Sequence, residues 1–491
     1  MRNLKNSIRA SQLADVVEGK LYGEDRTLTG HFTFLNKAKA NDIVIRHWIN
    51  GNGIEMAYDK NVSCVITQNP QDDAIKTAQK LNMALIVTGK IELATAYAIK
   101  TTVDNYAHDA FRMAITGTNG KSTTSHLLYT IFNDCGFKTY TNTDAQSEGN
   151  TLIDPRVAVE LVDYVESEGK MDAISLEVSE VQGWDDRIMK DHAYQMISAL
   201  NTDVSIITNA SADHMNLVES FDDLLNEIGG AARALLNDDK KSLLVLNYDD
   251  ENIRRMGEIV QGHDNITLMY FGEYFDDNEL SICYRENDAI YANGHVYIEY
   301  DDLPFTSKHF IQDIMAAIAV CVYKNLDRET VVESLRNYKA LSRRFIKLRD
   351  NPVVIDDFAH NPSGIKLTIE NGAKLGDRLF VVDAIRGCRG DDINRQIAEA
   401  LVESLKNEED YTLLLTCSRD VVNNLNTVLD SELDIFTRVL DDNSIEYVLF
   451  DNLEDSLLEA MKLADKKAVV LLLGAQGMDP ASKLLEKNNI I

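Results

Sequence analysis

A glycine-rich segment at residues 117–123, GTNGKST, constrains this chain more than any other feature. It follows a short apolar run, FRMAIT, that is typical of a buried strand, and it precedes residues with the apolar spacing of a helix. A glycine turn between a strand and a helix points backbone N–H groups and the positive end of the helix at one place, which suits a phosphate group. The segment therefore predicts a βα unit of an α/β fold with a phosphate-binding loop.

Two side chains at the end of the segment add chemistry to the turn. Lys121 supplies a positive charge for a β,γ-phosphate, and Ser122 supplies a hydroxyl suited to Mg²⁺. A generic Walker A loop has glycine six residues before the lysine, whereas this chain has Ile115 there. A glycine turn leading into a capped helix accounts for the glycines but not for the Lys-Ser pair. The predicted nucleotide-binding residues are Gly117, Thr118, Asn119, Gly120, Lys121, Ser122 and Thr123.

The length and the order of apolar runs predict three domains. A chain of 491 residues exceeds one ordinary core. Residues 1–108 alternate short apolar runs with polar turns, as in a small mixed α/β domain, and the polar segment 104–109 is typical of a linker. Residues 109–346 contain the long βα units of a parallel sheet, and residues 347–491 repeat the strand–helix alternation of a doubly wound, Rossmann-like domain.

The composition restricts the class of partner and the compartment. Lys and Arg number 49 against 79 Asp and Glu, a formal net charge of −30, so the surface repels phosphodiester backbones and we expect no nucleic acid partner. The six cysteines are scattered without a CxxC pair, which favours free thiols in a reducing compartment. The first residues lack the apolar segment of a signal peptide, and no apolar run approaches the ~18 residues of a membrane span. We expect a cytoplasmic monomer that does not bind membranes.

The longer string AITGTNGKSTT resembles the ATP-binding loop of the Mur ligase family, whose members form amide bonds in cell-wall precursors. Further segments resemble family motifs in the expected order along essentially the whole chain. The resemblance implies three domains, of which the first is small and mixed α/β, the second is a P-loop domain with a parallel sheet that binds ATP, and the third is a Rossmann-like ligase domain. It also implies ATP and Mg²⁺ as the cofactors.

Two polar strand ends resemble the metal-binding motifs of the family. Glu177 ends an apolar run and therefore lies at the tip of a strand, where ligands of α/β proteins bind. The resemblance implies that Glu177 and Ser122 hold Mg²⁺ beside the γ-phosphate. In TNASADH, Asn209 and His214 follow another strand and resemble the motif whose histidine binds a second magnesium ion. His214 alone would be an ordinary histidine, and its place in an ordered set of motifs favours the metal role.

The chain departs from the family pattern after His214. Several family members carry a carbamylated lysine a short distance beyond this histidine, where it bridges to the second metal. The corresponding stretch here, LLNEIGGAARALL, contains no lysine, and Arg233 is the nearest cation. Either the enzyme uses an uncarbamylated arrangement, or Arg233 substitutes for the lysine beside the substrate.

Two adjacent segments near residue 350 resemble motifs that contact ATP from the third domain. LSRRFIKL is similar to a Gly-Arg motif whose arginine reaches the phosphates, and its register leaves Arg343 and Arg344 open, with a preference for Arg344. VVIDDFAHNPSGI is similar to the DYAHNP motif, with Phe358 in place of tyrosine. The resemblance implies that Asp357 and His360 approach the ribose and adenine. A strand followed by an Asn-Pro turn explains the same residues structurally.

One segment of the central domain resembles the family motif that contacts adenine but departs from it at two positions. KHFIQDIMAAIA resembles the family's FNxxNxxAA helix, but Phe310 and Asp313 occupy the two asparagine positions. Asp313 retains an acceptor for the exocyclic amine of adenine, so it stays a candidate nucleotide-binding residue.

Three further residues are candidates for the two substrates. The loop RGCRGDD holds Arg386 and Arg389, and the resemblance implies that it recognises the incoming amine; two arginines can clamp a carboxylate, although surface salt bridges explain them equally well. Thr151, in NTLIDP, occupies a segment similar to one that contacts the growing peptide. The resemblance of residues 1–108 implies a grip on a UDP-linked acceptor.

These observations predict an ATP-dependent amide ligase that adds a free amino acid to a UDP-linked cell-wall peptide precursor through an acyl phosphate. The absent lysine and an altered late segment, GAQGMDP, favour an archaeal pseudomurein peptide ligase over a divergent bacterial muramyl peptide ligase. A nucleotide-dependent binding or regulatory ATPase with the same fold is the alternative from another class. The residues that select the amino acid are not apparent from the sequence.

Overall fold

The computed structural model describes residues 7–143, 152–184, 187–211, 217–273, 280–285, 288–304, 306–424 and 426–491. The chain divides into two compact units, Met1–Tyr338 and Lys339–Ile491. The division precedes the predicted start of the third domain at residue 347, because the strand that begins the second unit pairs within that unit. Across the described ranges, every helix is too short or too polar to span a lipid bilayer.

The N-terminal part of the first unit is a small mixed α/β sheet with helices. Helix formation at residue 51 begins at an asparagine N-cap, since Asn50 Oδ1 accepts from the backbone N–H of Gly53 at 3.0 Å. The elements are β1 (Ile8–Arg9), α1 (Ala10–Val16), β2 (Gly19–Tyr22), β3 (Thr27–Leu28), β4 (Phe32–Thr33), β5 (Ile43–Ile49), α2 (Gly51–Asp59), β6 (Cys64–Pro70), α3 (Ala74–Lys80), β7 (Ala84–Thr88) and α4 (Ile91–Tyr106).

The sheet of this part has the order β2-β7-β6-β5-β4 in the described residues, with β2 antiparallel and the remaining strands parallel. The predicted linker at 104–109 is wrong in its first half, because α4 continues to Tyr106. Lys100 Nζ lies 2.7 Å from Asp104 Oδ2, an i,i+4 ion pair on the helix surface. A polar last turn of an exposed helix face has the composition of a linker, so the sequence alone did not separate the two.

The central part of the first unit contains the glycine-rich loop. Its inner strands are buried on both faces, as parallel strands covered by helices require. The elements are β8 (Phe111–Thr116), α5 (Lys121–Asp134), β9 (Thr139–Thr141), α6 (Arg156–Glu168), β10 (Ala173–Glu177), β11 (Gly183–Trp184), β12 (Arg187–Ile188), α7 (His192–Leu200), β13 (Val204–Ile207), α8 (Phe221–Ala234), β14 (Ser242–Asn247), α9 (Glu251–Arg255), β15 (Ile266–Glu273), β16 (Ile282–Arg285), β17 (Ala289–Ala292), β18 (His295–Glu299), α10 (Lys308–Tyr323) and α11 (Arg328–Arg336).

The described strands of this part form one sheet in the order β18-β17-β16-β15-β14-β13-β8-β10-β9. Neighbours from β9 to β16 are parallel, which confirms the predicted central parallel sheet. The antiparallel extension through β17 and β18 was not predicted, since its short strands give no long apolar run. The strand before the loop, β8, lies between β10 and β13, so three strand ends meet around the loop.

The second unit is the predicted Rossmann-like domain, with the strand order β19-β20-β24-β21-β22-β23 in the described residues. All neighbours are parallel except β19 and β20. The Asn-Pro turn is a helix N-cap, where Asn361 Oδ1 accepts from the N–H of Gly364 at 2.8 Å and proline takes the first helical position. The elements are β19 (Ile346–Asp350), β20 (Val353–Asp357), α12 (Pro362–Ala373), β21 (Arg378–Ala384), α13 (Asp391–Leu405), β22 (Tyr411–Thr416), α14 (Asp430–Asp442), β23 (Tyr447–Phe450), α15 (Leu453–Leu463), β24 (Ala468–Leu473) and α16 (Ala481–Lys487).

Candidate active site

The glycine-rich loop joins β8 to α5 through two glycines in the left-handed region. Gly117 has φ +119° and Gly120 has φ +84°. A Cβ at Gly117 would lie 2.3 Å from Thr208 Oγ1, and one at Gly120 would lie 2.2 Å from Asp313 Oδ1. Both positions therefore require glycine for conformation and for space. Neither neighbour is adjacent in sequence, so tertiary packing imposes this requirement.

The residues after β13 hold the loop in shape. The backbone N–H of Thr118 donates to the carbonyl of Asn209 at 2.9 Å, and the N–H of Asn119 donates to Asn209 Oδ1 at 3.0 Å. The amide of Asn209 donates back to the Asn119 carbonyl at 3.0 Å, and the hydroxyl of Thr208 donates to the same carbonyl at 2.6 Å. The predicted Asn209 is thus brought to the loop, where its side chain braces the backbone.

Lys121, the first residue of α5, folds back on its own loop. Its Nζ donates to the carbonyls of Gly117 and Thr118, at 2.5 and 2.9 Å, and to Glu180 Oε2 at 2.8 Å. The Glu180 side chain is 1% exposed and that of Lys121 is 11% exposed. Glu180 was not among the predicted site residues, although its spacing of three residues from Glu177 was the available signal.

Ser122 and Glu177 form the second contact between α5 and the end of β10. Ser122 Oγ donates to Glu177 Oε1 at 3.0 Å, and both side chains are buried. Asn142 fixes the strand tip, because its side chain accepts from the Glu177 N–H at 2.8 Å and donates to the Glu177 carbonyl at 2.9 Å. A hydroxyl and a carboxylate are hard oxygen ligands of the kind that Mg²⁺ prefers. These two side chains therefore fit a magnesium ion.

The protein's own ligand set for a metal is small. In the described part of the chain, no group of three or more His, Cys, Asp and Glu side chains is arranged to hold a metal ion. The predicted second-metal ligand His214 and the predicted substrate residue Thr151 lie outside the described residues. Magnesium usually keeps several waters and shares phosphate oxygens, so a set of one hydroxyl and one carboxylate is compatible with it.

Asp313, on α10, lies behind the loop. It is 5% exposed, and Thr124 Oγ1 lies 3.4 Å from its Oδ1. Burial raises the pKa of Asp313 well above its usual range, and the Thr124 hydroxyl opposes this only in part. The side chain supports the turn at Gly120, and its predicted contact with adenine stays a prediction.

In the second unit the two candidate arginines are in different environments. The guanidinium of Arg343 is buried, and it donates to Asp356 Oδ1 at 3.2 Å, to the carbonyls of Gly474 and Ala475 and to Asp479. Burial raises the pKa of Asp356 to about 6, against the lowering effect of Arg343. Arg343 therefore ties β20 to the segment after β24.

Arg344 lies beside Phe358 and keeps a partly exposed guanidinium. Its Cζ is 4.7 Å from the Phe358 ring centroid, a cation–π contact, and one N–H donates to the Arg343 carbonyl at 3.1 Å. Of the two arginines left open by the sequence, Arg344 is the more exposed, and its contact with the phosphates stays a prediction.

The DFAH motif is held by local hydrogen bonds. Asp357 Oδ1 accepts from the N–H of Phe345 at 3.2 Å, and its Oδ2 accepts from the Thr368 hydroxyl. His360 Nδ1 lies 2.7 Å from the Phe358 carbonyl. Asp357 and His360 are therefore oriented by their own domain.

The three predicted substrate arginines have different local partners. Arg386 lies 3.5 Å from the carbonyl of His360, so these two predicted residues are neighbours. Arg389 instead donates to Asn426 Oδ1 at 3.1 Å. Arg233, in the last turn of α8, donates to Asp191 Oδ1 at 3.2 Å. In the described residues, Arg233 is not brought to the Ser122–Glu177 contact.

The fold and the loop define an α/β nucleotide-binding protein of the P-loop class with an additional Rossmann-like domain. Residues 115–321 match the Mur ligase middle domain, and residues 343–476 match the Mur ligase glutamate ligase domain. The chain belongs to the Mur ligase family, whose members are ATP-dependent ligases that form amide bonds.

Curated relatives support the same assignment. The chain is 26% identical over 372 residues to a UDP-N-acetylmuramate–L-alanine ligase of Dictyoglomus turgidum, covering 73% of this chain and 71% of that protein. It is 23% identical over 286 residues to a UDP-N-acetylmuramoylalanine–D-glutamate ligase of Clostridioides difficile, covering 56% of this chain and 53% of that protein. The matched segments cover between 38% and 71% of the length of four curated relatives.

Solved structures share the fold over almost the full length. MurF from Acinetobacter baumannii superposes with a TM-score of 0.69 at 15% identity, over 98% of both chains. A pseudomurein peptide ligase type C from Methanothermus fervidus has a TM-score of 0.58 at 18% identity, over 89% of this chain and 88% of that one. MurF from Thermotoga maritima, in complex with ADP, has a TM-score of 0.66 at 14% identity, over 93% of this chain and 98% of that one. At these identities the likeness is one of fold.

Proposed function

We propose that this chain is an ATP-dependent amide ligase that adds an amino acid to a UDP-linked cell-wall peptide precursor through an acyl phosphate. The observation that carries the proposal is the arrangement of Lys121 and Ser122, which are consecutive in α5, against Glu180 and Glu177 at the end of β10. This places a cation, a hydroxyl and two carboxylates beside a loop of backbone N–H groups. Phosphoryl transfer needs positioning and charge neutralisation of this kind.

In the first step, a carboxylate oxygen of the acceptor attacks the γ-phosphorus of ATP, and the bond to the ADP oxygen breaks. The backbone N–H groups in the first turn of α5 and the side chain of Lys121 stabilise the charge on the phosphate oxygens. Ser122 and Glu177 would hold Mg²⁺, which would supply charge neutralisation to the transferring phosphoryl group. The products are ADP and an acyl phosphate.

In the second step, the amine of the incoming amino acid attacks the acyl carbon, phosphate leaves, and the nitrogen loses a proton as the amide forms. We assign Arg344 to the phosphates, Asp357 and His360 to the nucleoside, and Arg386 and Arg389 to the carboxylate of the amino acid. The remaining predicted site residues, whose roles rest on the family resemblance, are Thr151, Asn209, His214, Arg233 and Asp313.

The finer assignment is a pseudomurein peptide ligase that acts as a monomer. It is supported by the departures from the bacterial pattern, namely the absence of a lysine between His214 and Arg233 and the altered segment GAQGMDP. The fold likeness to a pseudomurein peptide ligase is compatible with it. The alternative is a bacterial-type muramyl substrate, and an assay of the products distinguishes it from a pseudomurein precursor.

The test is mass spectrometry of products after incubation with ATP, Mg²⁺, UDP-linked peptide precursors of both types and a panel of amino acids, with phosphate release measured in parallel. We expect a mass increase of one residue for one precursor type, with phosphate release that requires both substrates. Lys121→Ala should abolish both signals, whereas Lys241→Ala, at an exposed site of the same unit, should retain them. Phosphate release without either substrate, and without a product, would instead indicate a nucleotide hydrolase.

A further inference from the structure

The loop lysine has a complete set of hydrogen-bond partners within the protein. An ammonium group has three N–H donors. The carbonyls of Gly117 and Thr118 and the carboxylate of Glu180 accept from Lys121 Nζ at 2.5, 2.9 and 2.8 Å. A phosphate oxygen that binds Lys121 must therefore displace one of these three acceptors.

The three acceptors differ in charge and in position. Two are the neutral backbone carbonyls of Gly117 and Thr118, which belong to the same loop as the lysine. Glu180 comes from a different segment, three residues after the end of β10, and it carries the charge that opposes an incoming phosphate. A second anion at the lysine is repelled by Glu180, so the carboxylate is the acceptor that electrostatics selects for displacement.

Glu180 depends on Lys121 for its charge balance. Its side chain is 1% exposed, and Lys121 is the cation that the structure pairs with it. In the described residues, Glu180 Oε1 is buried without a hydrogen-bond partner. A buried carboxylate that loses its cation is strongly destabilised, because burial withdraws the charge from bulk solvent.

The proposed site for a divalent cation consists of Ser122, the residue after Lys121, and Glu177. Lys121 and Ser122 are consecutive, and they contact Glu180 and Glu177 at 2.8 and 3.0 Å. A divalent cation held by Ser122 and Glu177 would be bound by the residue after Lys121 and by a carboxylate three residues before Glu180. We propose that Glu180 is a positioning residue that holds Lys121 in the nucleotide-free protein and exchanges it for the divalent cation when nucleotide binds.

The exchange couples the two ligands, and this inference rests on the proposed function. Nucleotide alone must break the Lys121–Glu180 pair and leave Glu180 uncompensated, so it binds weakly. When nucleotide binds together with Mg²⁺, Lys121 pairs with a phosphate and the metal ion balances the charge of Glu180, so the nucleotide binds tightly. Magnesium and nucleotide thus strengthen each other's binding through Glu180.

The experiment is calorimetric titration of the full-length chain with ADP and with a non-hydrolysable ATP analogue, in EDTA and in saturating Mg²⁺. In the wild type we expect the ratio of the two Kd values to be on the order of 5- to 150-fold. Glu180→Gln should lower this ratio about fivefold or more, because nucleotide alone binds more tightly. Glu180→Asp, which keeps the charge, should restore most of the coupling.

Two matched variants separate this role from others. Glu177→Gln removes a proposed metal ligand and should lower the ratio by weakening binding in Mg²⁺. Glu227→Gln neutralises another buried carboxylate of the same unit and should leave the ratio unchanged. The thermal unfolding of each variant, recorded without ligand, shows whether the variant folds. If Glu180→Gln does not fold, Glu180→Ala, which also removes the charge, takes its place with the same expected ratio.

The outcomes are distinct. A Glu180→Gln protein that folds and keeps the wild-type ratio would overturn the inference and leave the ligase proposal standing. A weaker affinity for nucleotide in EDTA in that variant would also overturn it. A wild-type chain that binds no nucleotide under either condition would overturn the proposed function, and the inference with it.

Discussion

The hydroxyl of Ser122 donates a hydrogen bond to Glu177 Oε1 at 3.0 Å, across 55 residues of sequence. This contact joins the first turn of α5 to the tip of β10, and both side chains are buried. It brings the two side chains that suit Mg²⁺ together. Substitutions of Ser122 and of Glu177 should therefore affect the same proposed metal site.

Ser122→Ala and Glu177→Gln should each lower kcat/KM for amide formation by about 100-fold, because each removes an oxygen from the proposed magnesium site. The double variant should be little worse than the poorer single variant, since the two side chains act together. The measurement is substrate-dependent phosphate release across a magnesium titration. Ser167→Ala, at an exposed serine of α6, is the control. Fully additive losses would contradict the shared site.

Gly120→Ala should abolish nucleotide binding, because its Cβ would lie 2.2 Å from Asp313 Oδ1 and φ is +84°. Gly136 separates the two causes, since it has φ +87° and a Cβ there would meet no described atom within 4 Å. Gly136→Ala should therefore show only backbone strain, about 1–2 kcal/mol of unfolding free energy. The measurements are the thermal midpoint and its shift with ADP. A normal shift for Gly120→Ala would contradict the crowding of the loop.

Arg343→Ala and Arg344→Ala should differ in kind. The first removes the cation from a buried cluster with Asp356 and Asp479, and it should lower the unfolding free energy of the second unit by about 3–5 kcal/mol. The second should change that free energy by less than about 1 kcal/mol and should reduce amide formation. Denaturant unfolding and product formation, measured on the same preparations, check both. Equal destabilisation by the two variants would remove the distinction.

The stability of the second unit should fall as pH rises from about 4 to about 7. Burial raises the pKa of Asp383 from 3.8 to about 7, so the folded state retains a proton that the unfolded state loses in this window. Asp383 contributes at most about 1.4 kcal/mol per pH unit to the slope, and Asp356, whose pKa burial raises to about 6, contributes in the same direction. Asp383→Asn should flatten the slope and raise stability at neutral pH, whereas Asp377→Asn, at an exposed site, should not. Chemical unfolding across this pH range is the measurement, and an unchanged slope would contradict it.

Local patterns were sufficient for much of the fold. Continuous apolar runs predicted β8, β10, β13 and β14 because strands buried on both faces need apolar side chains throughout. The position of Glu177 at a strand end followed from the same rule, since β10 ends at that residue. Short antiparallel strands such as β17 and the helical turn at Asp104 were not predicted, because half-exposed segments have mixed composition.

Interactions between distant segments were not predictable from residue types. Arg343 and Arg344 are adjacent, so the sequence motif fits either of them. Only the packing of β20 against the segment after β24 distinguishes the buried Arg343 from the partly exposed Arg344. The role of Asn209 in bracing the loop depends on the parallel register of β13 with β8. Glu180 was overlooked for the same reason, since its partner Lys121 lies 59 residues earlier.

The sequence by itself determined that a loop with Lys121 and Ser122 follows a buried strand, and that carboxylates follow another, because glycine conformation and apolar periodicity are local properties. Only the tertiary structure decided which carboxylate faces which donor. Lys121 meets Glu180 and Ser122 meets Glu177 because β10 lies beside β8 in the sheet, so their carboxyl ends adjoin. Hydrogen-bond distances of about 3 Å depend on that strand order, which no short segment encodes.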